Sequence, residues 1–213
     1  MKKRVLAMAC TLPLGIHTLR IGNGPDREVC YPHVYQVKNR QFERFMNRSI
    51  VKETQNLINT QAGDSPSTVE WMNGSYEIKN NQREVLSLSL VNNTYHFHAA
   101  HPMTYIKALT FDLKGEKKCS LKDFFKPGSD YIGRISELVK LQIKERDIFL
   151  ISDFTAIRPD QDFYVADKSL VIYFQLYDIT PYAFGFPMFP ISVYSLQDII
   201  KEDGPLGRLA IHN

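Results

Sequence analysis

Three histidines in the order His96-Phe97-His98-Ala99-Ala100-His101 are the residues whose type and spacing best suit metal chemistry. Alternate positions of a strand share a face, so His96 and His98 would point the same way. A turn through Ala99-Ala100 would return His101 to them. Three imidazole nitrogens with an open fourth position are the arrangement of a hydrolytic zinc, which would make the chain a metal-dependent hydrolase. The general-base glutamate of an H-E-x-x-H helix is missing. The competing expectation is a strand end where one imidazole bonds to backbone and no metal is held.

Other catalytic patterns are poorer. The sequence holds no G-x-S-x-G elbow, no P-loop and no G-x-G-x-x-G. Cys10, Cys30 and Cys119 form no C-x-x-C pair and sit in no nucleophile signature. They suit a reduced compartment, or a single Cys10–Cys30 bridge if the protein is secreted. Acidic pairs such as Asp160/Asp162 and Asp153/Asp167 read as solvated loop carboxylates. The reading is therefore non-catalytic, with no cofactor. A binding surface is better supported. Residues 177–190 hold five aromatics and three prolines in fourteen positions. Prolines pre-set the backbone, and rigid rings give contact area at low entropy cost. Tyr182, Phe184, Phe186 and Met188 are the expected binding residues, and the alternative is that these side chains pack as core.

The elements that must position these residues are mostly strands. Phe42, Phe45, Met46, Ile50, Leu57 and Ile58 recur at helical spacing, which predicts an amphipathic helix over about 40–60. Ile132, Ile135, Val139 and Ile143 predict a second over 131–145, capped by Ser129 or Asp130. Between them, Asn80-Asn81 reads as a hairpin turn. Leu86, Leu88 and Leu90 alternating with Ser87 and Ser89 predict a half-buried antiparallel strand. Ser120 can cap a short helical turn through Phe125. Strands over 163–166, 170–176 and 189–193 and a short helix at 196–200 complete the chain. The fold class expected is α+β: antiparallel sheets, two main helices and two small, intimately packed domains, residues 1–115 and 116–213.

Totals bound the rest. The 213 residues are 44% apolar and 23% charged, which excludes a disordered chain. The 26 basic and 23 acidic residues are scattered, so no basic stripe marks a nucleic-acid partner. No apolar run approaches the roughly 18 residues of a membrane span, and a soluble protein is expected. Met1-Lys2-Lys3-Arg4 before Val5–Ala9 imitates an export signal, but five apolar residues fall short of a signal core. A first strand and a cytoplasmic location follow from that shortness, with an extracytoplasmic one as the alternative.

Several of these segments together resemble the extracytoplasmic sensor module of bacterial RsiV-type anti-sigma factors, which also occurs in PdaC-type peptidoglycan deacetylases. In the first half the resemblance rests on Tyr31-Pro32-x-Val34, Asn39, Asn47-x-x-Ile50, Ser75–Ile78 and Leu86-Ser87-Leu88. Tyr95–Pro102 stands where the family has a Y-x-x-G-G-A-H turn, with His98 and Ala99 in place of the two glycines. Phe111-Asp112-Leu113 and Leu121-x-Asp123-Phe124-Phe125 follow. The most specific matches are Leu170–Phe174, Tyr177-x-Ile179-x-Pro181-Tyr182-Ala183-x-Gly185 and Phe189-Pro190-Ile191. The resemblance implies a non-enzymatic sensing or accessory module, mostly outside the membrane, that recognises a protein or glycan. The anti-sigma version binds lysozyme; that property does not transfer, because binding surfaces lie on variable loops while the matched residues read as core and turns.

Overall fold

A computed structural model describes residues 13–24 and 26–210. The export-like stretch 1–9 and Cys10 lie outside the described residues. The chain is α+β and layered. A six-stranded sheet runs in the order β1 (Gly15–Gly24), β2 (Arg27–Tyr35), β3 (Val69–Gln82), β4 (Val85–His96), β5 (Met103–Asp112) and β6 (Lys117–Lys118). A three-stranded sheet follows, β7 (Phe163–Ala166), β8 (Ser169–Tyr173) and β9 (Met188–Ser192). The pairings are antiparallel except β2 with β3, which run parallel over Arg27–Val29 and Met72–Gly74. At that crossing a Cβ on Gly74 would lie 2.4 Å from Val29 Cγ1, so the close approach needs glycine.

Helix α1 (Arg40–Ala62) starts where Asn39 Oδ1 accepts from the N–H groups of Gln41 and Phe42. It packs Phe42, Met46, Ile50 and Leu57 onto Leu86, Leu88, Leu90, Leu109 and Phe111 of the large sheet. The opposite face of that sheet meets the small one through Ile106, Tyr164, Val171 and Tyr173. Behind the small sheet, α2 (Tyr131–Glu145) and α3 (Pro205–Ala210) close a third core on Val165, Leu170, Ile172 and Phe189. Both faces of the large sheet are thus covered, which corrects the half-buried reading of β4. Ser87 and Ser89 are buried between the sheets. Ser87 Oγ bonds Thr110 Oγ1 at 2.8 Å and accepts from Val165 N–H at 3.0 Å.

Two further expectations change. Asn80 and Asn81 are strand residues, and the β3–β4 turn is made by Arg83 and Glu84, both at positive φ (52° and 58°). The Asn81 carboxamide pairs with both backbone groups of Leu14, donating to the carbonyl at 2.9 Å and accepting from the N–H at 3.3 Å. The helix expected at 196–200 is a 3-10 turn at Val193–Leu196, followed by α3.

Side chains close the sheet edges where strands do not. Asn47 donates to and accepts from Val34 backbone, both at 2.8 Å, extending β2 like a neighbouring strand. From α2, Gln142 and Arg146 donate to the carbonyls of Pro190 and Met188 on β9. Along the edge that β4 leaves open on β5, Gln175 takes both backbone groups of Ile106 and the Tyr173 hydroxyl accepts from Ala108 N–H at 3.0 Å. Such caps prevent edge-to-edge association.

Candidate functional site

The β4–β5 connection and the loop after β8 meet at one end of the β5 edge. β4 ends at His96, and the turn closes through Ala99 N–H to His96 O (2.9 Å) and Tyr95 hydroxyl to Ala99 O (3.1 Å). His98 takes a left-handed conformation (φ 66°) where the resembled family has glycine.

These facts separate the three histidines. His96 Nε2–H donates to Gln61 O at 2.6 Å, and Nδ1 lies 2.7 Å from Thr68 Oγ1, so both nitrogens are taken. His98 is exposed, its ring against Phe97 with centroids 3.9 Å apart. Because β4 stops at His96, His98 does not share its face. His101 donates from Nδ1 to Pro102 O at 2.9 Å, and its Nε2 accepts from the Tyr177 hydroxyl at 3.0 Å. Among the described residues no three His, Cys, Asp or Glu side chains are grouped to hold a metal ion. The metal-dependent hydrolase built on His96, His98 and His101 is therefore not supported.

His101 belongs instead to an aromatic cluster. Its ring lies 4.0 Å from that of Tyr182 and 6.2 Å from that of Tyr177, and the two tyrosines are 5.7 Å apart. The Tyr182 hydroxyl donates to Pro102 O at 2.8 Å, tying the loop to the base of β5. Tyr177, 46% exposed, is at φ 68°, followed by a turn in which Asp178 Oδ2 accepts from Gln175 N–H. Pro181 precedes a 3-10 turn, Tyr182–Phe184, which ends at Gly185 (φ 81°) and leaves Phe184 43% exposed. The result is a platform of His101, Tyr177 and Tyr182 with Phe184 on the same loop, its rings fixed by hydrogen bonds before any ligand arrives. Phe186 and Met188 do not join it. Both are half-buried in the core between the sheets, where Met188 Sδ accepts from the Tyr164 hydroxyl. Tyr177 and His101 were the members that spacing alone did not reveal: the first depends on a left-handed backbone, and the second on a contact 76 residues away.

Elsewhere, Cys119 is buried beside the platform's strand, and burial, reinforced by the Asp112 charge, pushes its thiol up to about 12. A thiol held so high is no nucleophile at neutral pH.

Residues 122–194 match the family described as a protein of unknown function, DUF3298. The matched stretch is about a third of the chain; it holds Tyr177, Tyr182 and Phe184, while His101 precedes it. The chain is also 23% identical over 175 residues to the peptidoglycan-N-acetylmuramic acid deacetylase PdaC of Bacillus subtilis (strain 168), an alignment that takes in 78% of this chain and 37% of the deacetylase. The chain thus spans well under half the length of that relative. Two solved structures carry the same fold. A DUF3298-family member from Bacteroides fragilis superposes with a TM-score of 0.69 at 16% identity, covering 92% of this chain and 97% of that one. A DUF3298-family protein from Pseudomonas aeruginosa PAO1 gives 0.68 at 14% identity, covering 94% and 98%. At these identities the likeness is one of fold, and it agrees with the α+β class expected from the sequence. Among the described residues no helix is long and apolar enough to cross a membrane.

Proposed function

We propose that the chain is a non-catalytic binding module that recognises a cell-envelope glycan on the His101–Tyr177–Tyr182 platform, with Phe184 at its rim. The observation that carries this reading is the set of three surface rings at centroid separations of 4.0–6.2 Å, locked by bonds to Pro102 and to one another. Rings presented with a polar edge are amphipathic contact surfaces of low conformational entropy. A protein partner fits less well, because Phe186 and Met188 are committed to the inter-sheet core. Their apolar area is then missing from the surface, and a stable protein interface buries on the order of 1,200–2,000 Å². The similarity to an enzyme named for peptidoglycan points to the same class of ligand. This reading sets the protein outside the cytoplasmic membrane, with residues 1–115 and 116–213 as its two packed folding units.

Co-sedimentation with purified peptidoglycan tests it. The wild-type protein is expected in the pellet and Tyr182→Ala in the supernatant, with lysozyme in a separate capture experiment as the protein arm. Equal pelleting of both forms, or capture by lysozyme alone, would overturn the glycan reading.

A further inference from the structure

A second feature of the β5 edge lies beyond the platform and does not depend on it. Past the Tyr173 contact at Ala108 and before Cys119 N–H bonds Thr110 O at 2.8 Å, the edge opens onto a cleft of about 410 Å³. Its walls are β6, the turn that follows it and the loop entering β7. That volume is in the range of small-ligand sites, roughly 300–1,000 Å³.

The charges in this cleft are unevenly satisfied. Asp123 accepts from Ser120 N–H (2.7 Å), Ser120 Oγ (2.6 Å) and Lys117 Nζ (3.0 Å). Asp162 accepts from Lys107 Nζ at 2.7 Å and Gln175 Nε2 at 3.0 Å. Asp160 lies 3.6 Å from Arg158. Each lining carboxylate therefore has a cationic partner. Lys118 does not: it lines the cleft with no hydrogen bond or ion pair among the described residues. Desolvation lowers the pKa of its ammonium; Lys107 and Lys52 push the same way, against the attraction of Glu53. Lys118 stays on the surface with Glu53 acting on it only at a distance, so its ammonium is free to take an anion as a direct partner at the cleft. Phe163 and Leu121 supply an apolar wall beside it. Cys119, buried and protonated, offers the cleft no thiolate.

We propose that this cleft binds a small carboxylate-bearing ligand, with Lys118 as the counter-charge and Phe163 against the ligand's apolar part. Two sources share that chemistry, a sugar acid and the free C-terminus of a short peptide. The test is an ¹⁵N NMR titration of the full chain with two matched pairs: glucuronate against glucose, and N-acetyl-alanyl-alanine against its C-terminal amide. At least one acid is expected to shift the amides of Lys118, Ser120, Gln161 and Phe163. Its neutral counterpart and the Lys118→Gln variant should each bind at least tenfold more weakly. The acid that binds names the source. No binding by either acid, equal binding of the neutral analogue, or unchanged binding by Lys118→Gln would overturn the proposal. Lys118 is on the surface, and a Lys118→Gln spectrum unaltered away from the cleft establishes that the variant is folded. Tyr182→Ala should leave these shifts in place, which separates failure here from failure of the platform.

Discussion

Replacing Arg208 by alanine should cost about 3 kcal/mol of stability, although the residue touches neither proposed site. From α3 the guanidinium donates to Asp112 Oδ1 at 2.6 Å, to the carbonyls of Arg83 (3.2 Å) and Glu84 (3.3 Å) in the β3–β4 turn, and to Asp203 O at 2.9 Å. The side chains of the pair are only 11% and 8% exposed. Removing one partner of a buried pair leaves an uncompensated charge, at about 3–5 kcal/mol. Asp112 keeps an N–H bond from Lys114 at 3.1 Å, which places the loss at the lower end. For a domain of this size, about 3 kcal/mol corresponds to roughly 6–12 °C in Tm. Urea denaturation followed by Trp71 fluorescence and far-ultraviolet circular dichroism measures it. Arg208→Lys retains the charge and loses the fork, so it should fall between wild type and Arg208→Ala. A change below 1 kcal/mol in Arg208→Ala, or a lysine variant as stable as wild type, would refute the view that α3 locks the end of the large sheet.

Other outcomes follow from the same contacts. Tyr173→Phe removes the acceptor for Ala108 N–H on the β5 edge and should destabilise by about 1–2 kcal/mol, read by the same denaturation curves. Cys119 should resist alkylation at pH 8 in the folded protein and react once urea unfolds it, which site-resolved mass spectrometry detects; rapid labelling of the native form would contradict its burial. Because folding raises this thiol from near 9 to about 12, its contribution to stability is complete below pH 9 and is lost as pH rises toward 12.

The regular elements were legible because local chemistry and global packing agree there. Asn39 and Asp130 cap the two long helices as their side chains suggest, and Ser120 with Asp123 forms a capping box. Reading failed where tertiary contacts override local preference. Asn80 and Asn81 look like a turn, yet their carboxamides replace backbone partners inside a strand, while Arg83 and Glu84 take the left-handed turn. Ser87 and Ser89 look like a solvent face because the small sheet that covers them arrives from residues 163–192. α3 was hidden by Gly204-Pro205, which reads as a breaker although proline is favoured at a helix start. The candidate site was half visible. Tyr182 and Phe184 stand out by composition and lie on the exposed loop, whereas Phe186 and Met188, alike in type, turn inward. His101 drew notice for metal chemistry, and its actual neighbours are rings.

The most direct test of the platform is calorimetric titration of a soluble peptidoglycan fragment into wild-type protein and into Tyr177→Ala and Tyr182→Ala. Binding by wild type, weakened at least tenfold by each substitution with folding unchanged, is the expected result. Binding that both variants retain at full strength, or no binding by wild type, would contradict it.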